Sequence, residues 1–141
     1  MRDFHLPARA IAKSWPEAGP KVLWKRDLPF GGSSVAIDGH RLYTMHRETD
    51  AEVVLSLDAR TGKTIWQFKY AAVFLKGMNM NTGPGPHATP LIVGDRLYTV
   101  GVNGKMHCLD KRTGRVLWTR GLIEDMGGSV MLRGYSNSPL L

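Results

Sequence analysis

The chain has 141 residues, 43% of them hydrophobic and 22% charged, the balance of a folded domain rather than a disordered one. No apolar run approaches the roughly 18 residues a membrane-spanning helix needs, and a single cysteine, Cys108, excludes an intrachain disulfide and a cysteine-based zinc cluster. The net charge of +7 raises the question of nucleic acid, but the basic residues are spread through turns (Arg60, Lys63, Lys105, Lys111, Arg112, Arg115) with no interleaved aromatic stripe. Solubilising turns are therefore expected, and no nucleic-acid partner.

In chain order, Met1 to Ser14 carries basic residues without a continuous apolar stretch, so no secretory signal is visible, and residues 1–18 read as an N-terminal segment. From there an internal repeat takes over. Arg41-Leu42-Tyr43-Thr44 recurs 55 residues on as Arg96-Leu97-Tyr98-Thr99. Leu57-Asp58-Ala59-Arg60-Thr61-Gly62-Lys63 recurs 52 residues on as Leu109-Asp110-Lys111-Arg112-Thr113-Gly114-Arg115, and Ile65-Trp66 as Leu117-Trp118. The first copy is three residues longer between Met45 and Val53, where a loop insertion is expected, with Glu48, Asp50 and Glu52 on a solvated tip.

Each copy divides into four short strands. In the second these are Ala88–Val93, Arg96–Val100, Lys105–Leu109 and Arg115–Arg120, separated by Gly94-Asp95, Asn103-Gly104 and the Asp110–Gly114 turn. Four hairpin-connected strands per repeat is the signature of a propeller blade. Val22-Leu23-Trp24 matches the fourth strand of such a unit, and Ser138-Pro139-Leu140-Leu141 matches the first. The fold class is therefore all-β: part of a β-propeller, with two complete four-stranded antiparallel blades and partial flanking strands. Its divisions are residues 19–32 (last strand of a preceding blade and linker), 33–70 (blade 1), 71–87 (connection), 88–120 (blade 2), 121–135 (connection) and 136–141 (first strand of a next blade). Two blades alone leave sheet faces and strand edges uncovered. The chain is thus expected either to be followed by further blades or to self-associate.

Asp58 and Asp110 are placed to accept hydrogen bonds from backbone N–H groups two or three residues on. Gly62 and Gly114 supply the positive φ that leaves the turn, and Trp66 and Trp118 each offer about 150–250 Å² for burial.

These residues carry a resemblance. L-D-A-R-T-G-K-T-I-W and its echo L-D-K-R-T-G-R-V-L-W resemble the pyrroloquinoline quinone (PQQ)-type repeat of bacterial quinoprotein-like propellers, over roughly Val22 to Leu141. The resemblance implies that Trp66, Trp118 and Trp24 dock one blade on the next. It also implies two kinds of function. Some members are dehydrogenases that hold the quinone and a calcium ion at the propeller axis. Others, such as the outer-membrane assembly lipoprotein, are cofactor-free interaction scaffolds. The dehydrogenases carry a vicinal cysteine pair, whereas Cys108 stands beside His107, and no acidic residue maps onto their catalytic base or calcium ligands.

Other motifs have plainer readings. Gly62-Lys63-Thr64 lacks the glycine a P-loop needs five residues earlier, where Leu57 stands. His107 and Cys108 are strand neighbours and point to opposite faces, so they do not share an ion, and Cys108 aligns with the small Ser56 as a buried inert thiol. The connection containing Met78, Asn79, Met80, Asn81 and His87 is long for its place, and long loops on rigid scaffolds commonly bind ligands. Copper(I) at its thioethers is the weaker reading there, for want of a regular methionine repeat. With Arg133 and Tyr135 of the second connection, these residues form one candidate surface if both loops share a face. The expected function is a non-catalytic scaffold, without cofactor or metal, that binds a protein or small ligand through the inter-blade loops. The alternative is part of a PQQ- and calcium-dependent dehydrogenase. A periplasmic or other extracytoplasmic location follows from family analogy alone.

Overall fold

The computed structural model describes residues 14–81 and 83–140. The expectations for residues 1–13 and for Leu141 lie outside them. The described residues form two four-stranded antiparallel sheets and no helix. Blade 1 consists of β1 (Ala36–Asp38), β2 (Arg41–Glu48), β3 (Ala51–Asp58) and β4 (Thr64–Ala71); blade 2 consists of β5 (Leu91–Val93), β6 (Arg96–Val100), β7 (Lys105–Asp110) and β8 (Val116–Gly121). Each sheet is a meander in chain order, with β1 and β5 in contact where the blades meet. No described helix is long and apolar enough to cross a membrane.

The period-two alternation of a strand sorts the side chains of blade 1 into two faces. Tyr43, Met45 and Arg47 on β2 stand opposite Ser56, Val54 and Glu52 on β3, which in turn stand opposite Trp66, Phe68 and Tyr70 on β4. This face packs on blade 2, where Leu97 and Leu109 complete a buried cluster with Tyr43, Met45, Val54 and Trp66. The other face buries Val53, Leu55 and Leu57 under Trp24 and Leu28. Both faces of β3 are therefore buried, which is why its sequence reads as a nearly continuous apolar run.

Four expectations are corrected. Val22-Leu23-Trp24 forms no strand, because a fourth strand needs a third to pair with and no described strand lies beside it. Residues 138–140 likewise form none. The three extra residues of the first copy are not a loop: they extend β2 and β3 in register to Glu48↔Ala51, leaving the two-residue turn Thr49-Asp50. Two-residue hairpins require positive φ, and Thr49 adopts it at 49°. Finally, Glu52 is not on a solvated tip. It is fully buried, with Arg47 beside it at 2% exposure.

Candidate functional site

The antiparallel register puts the Thr49-Asp50 turn, the 101–104 turn and the starts of both connections at one end of the blades. The two Asp–Gly turns lie at the other end.

At the turn end, Asp58 Oδ1 accepts from Arg60 N (3.1 Å), Thr61 N (2.8 Å) and Thr61 Oγ1 (2.8 Å). Asp110 Oδ1 does the same with Arg112 N (3.1 Å), Thr113 N (2.8 Å) and Thr113 Oγ1 (2.7 Å). These bonds, the threonine side chain's foremost, hold both carboxyls below the usual aspartate range. Gly62 and Gly114 leave the turns at φ of 70° and 75°. Trp66 lies across Gly114 and donates from Nε1 to Lys111 O at 3.0 Å. Trp24 repeats this one unit earlier, lying across Gly62 and donating to Ala59 O at 2.9 Å. Trp118 is half-buried, with its ring 5.9 Å from that of Tyr98, and the buried Trp66 stands 6.0 Å from Tyr43.

At the loop end, the two connections meet: Asn79 N–H donates to Leu132 O at 2.6 Å. Asn81 N–H caps back onto Asn79 Oδ1, and the Met78 sulfur accepts from Leu75 N–H, an internal bond that turns this thioether inward. Met80 is half-buried, and so is His87, which lies against Gly32 and Gly85. Arg133 is exposed. The Tyr135 ring covers Gly104, and its hydroxyl donates to Ser129 O at 2.9 Å. A cavity of about 320 Å³ opens between Met131 and Asn137. Of its lining, Met131 (48%) and Leu132 (63%) present apolar surface to solvent, and Met126 (59%) is exposed earlier in the same connection.

A buried hub, absent from the sequence reading, holds this surface. Val102 N–H donates to Glu52 Oε1 (3.1 Å), and Val102 O accepts from Tyr135 N–H (2.9 Å). Its side chain fills the space a β-carbon would need at Gly85, and Gly134 abuts its backbone. Glu52 Oε2 accepts from Tyr70 Oη (2.6 Å), and Gly101 leaves room for both groups. Arg47 stands 3.9 Å from Glu52, donates to Ala72 O (2.8 Å) and lies 3.9 Å over the Phe74 ring, fixing the start of the first connection. Burial raises the Glu52 carboxyl pKa above the usual range despite these partners and pushes the Tyr70 phenol well up. The only sequence signal for the hub was a pair of opposite charges, Arg47 and Glu52, among the several charged residues of the hairpin.

Cys108 is fully buried on the Tyr98–Trp118 face, while His107 is buried on the other, against Phe68 and Tyr70. Among the described residues no group of three or more His, Cys, Asp or Glu side chains is placed to hold a metal ion.

The family model for outer membrane protein assembly factor BamB matches residues 50–136. The assembly factor BamB of Aliivibrio fischeri is 52% identical over 42 residues, which cover 30% of this chain and 11% of that protein. The 1-butanol dehydrogenase (cytochrome c) of Thauera butanivorans is 26% identical over 113 residues, covering 74% of this chain and 15% of that one. Among solved structures, BamB from Moraxella catarrhalis superposes with a TM-score of 0.50 at 25% identity, over 70% of this chain and 26% of its own. A quinohemoprotein alcohol dehydrogenase from Pseudomonas putida shares the fold, with a TM-score of 0.51 at 22% identity, over 72% and 14%. The chain spans only a small part of the length of these relatives. With two meander blades, the twice-repeated Asp–Thr–Gly turn and a family match over more than half its residues, the chain belongs to the BamB-type PQQ-like repeat family of β-propellers.

Proposed function

We propose that this chain is part of a non-catalytic propeller scaffold that binds a protein partner through the face built by its two connections. The observation that carries this reading is the Asn79–Leu132 bond, which joins the loops into one surface with Met131 and Leu132 exposed on it. Exposed apolar side chains grouped on a rigid frame are characteristic of protein-binding patches. The relatives named as outer membrane protein assembly factors favour a partner in that process and an extracytoplasmic location. A small-ligand partner fits the same surface less well, because its cavity of about 320 Å³ lies at the small end for a ligand pocket.

The test is complementation of a strain lacking its BamB, using the intact protein and its Leu132→Asp variant. Restored outer-membrane protein levels, lost in the variant, support the scaffold. Equal levels with both proteins reject the loop face. The second reading, part of a quinoprotein dehydrogenase, draws on the likeness to the butanol dehydrogenase. Titration of the intact protein with PQQ and calcium, followed by absorbance, separates the two, since stoichiometric binding overturns the cofactor-free reading.

A further inference from the structure

His107 sits at the seam between the blades, its ring 4.2 Å from that of Tyr70 and 5.1 Å from that of Phe68. It is 3% exposed, and its Nδ1 is buried with no hydrogen-bond partner. The groups facing it are the aromatic rings of β4, with the Glu52 carboxyl of β3 behind the Tyr70 hydroxyl, Arg47 of β2 beyond that, and Lys105 on its own strand. Its cross-strand neighbours Thr99 and Thr119 are uncharged. A proton added to this ring meets the charge of Lys105, and Nδ1 has no acceptor within reach.

From Tyr70 the contacts run without a break to the loop face. Tyr70 holds Glu52, Glu52 holds Val102 N–H, and Val102 holds Tyr135 N–H and packs on Gly85 and Gly134. We infer that His107 is an acid-operated latch: its protonation parts Tyr70 and Glu52 from Val102 and loosens both connections while each blade keeps its own sheet. The inference rests on the scaffold reading only for its consequence, that the binding face is ordered near neutral pH and released in acid.

The sign follows from burial. Desolvation, with Lys105 adding to it, lowers the imidazole pKa from 6.5 to about 4. The closed seam therefore excludes a proton that an open seam accepts. Closure is complete above about pH 6.5 and weakens as pH falls toward 4. Linkage sets the change in the opening equilibrium at about a hundredfold over that range. Glu52 works in the opposite sense, because its raised pKa makes the closed form the better proton acceptor just above the usual carboxyl range.

Amide hydrogen exchange on the intact protein, without any partner, tests this. Protection factors at Val102, Tyr135 and Asn79 are followed between pH 7 and 4, with Leu55 inside blade 1 as the reference. Protection at the three loop-face amides is expected to fall about a hundredfold while Leu55 holds. The fall should vanish in His107→Phe, or in His107→Gln where the larger ring does not fold, and persist in Glu52→Gln. Constant protection in the unmodified protein overturns the latch. So does a fall that survives both His107 variants, and so does loss of the fall in Glu52→Gln. None of these results depends on partner binding, so the latch and the scaffold fail separately.

Discussion

Trp66 and Gly114 are fitted to each other across the blade boundary: a β-carbon on Gly114 would stand 2.6 Å from the indole, and the residue's φ of 75° already disfavours any side chain. Gly114→Ala is therefore expected to lower stability by at least about 2 kcal/mol, combining left-handed backbone strain with displacement of the ring. Denaturant unfolding followed by tryptophan fluorescence measures it. A change within experimental error would mean that the indole is not seated on the turn.

The buried Arg47–Glu52–Tyr70 group predicts an asymmetric response. Glu52→Ala leaves the guanidinium buried 3.9 Å from where its counter-charge stood and Val102 N–H without its acceptor. The expected cost is about 3–5 kcal/mol, the range for breaking a buried pair. Glu52→Gln keeps one acceptor for Val102 N–H and turns the other oxygen into an amide donor that the Tyr70 hydroxyl can accept, and should cost clearly less. Parallel urea melts of the two variants give the comparison, and equal losses would count against the assigned contacts.

Thr49 offers a gain. A β-branched residue at φ 49° bears a strain that glycine does not. Thr49→Gly should raise stability by about 1 kcal/mol in the same melts without altering the loop face.

Acid sensitivity divides between the two ends. Asp58 and Asp110 have depressed pKa values, so the stability they contribute is present above the ordinary aspartate value of 3.8 and is lost as pH falls through their folded values. Asp58→Asn with Asp110→Asn keeps an acceptor in each turn and should flatten the pH dependence of melting below about pH 4. The His107 window, between about 4 and 6.5, should remain.

The blades were legible because their turns are local. Asp58 bonds to Thr61 and Asp110 to Thr113 within three residues, so the repeat encodes its own punctuation. The extension of β2 and β3 was not legible. The turn that closes it, Thr49-Asp50, lacks the asparagine or glycine that usually marks a two-residue hairpin, so three extra residues read as a loop. The Glu52–Val102 hub was hidden for another reason: its members lie 50 positions apart and meet only when the blades pack. A carboxylate in a sequence looks solvated until a tyrosine hydroxyl and a backbone amide are seen to close over it.

The forward lean of the tryptophans carries one more consequence. Trp24 rests on Gly62 and Trp66 on Gly114, so each indole reports on the turn of the unit that follows it in the chain. A lesion in the 110–114 turn should unsettle the Trp66 environment of blade 1 before it disturbs the neighbouring Tyr98–Trp118 pair. In a quasi-one-dimensional array, damage of this kind travels one step toward the N-terminus. Reading single-tryptophan variants in order would then locate a defect by the indole immediately upstream of it.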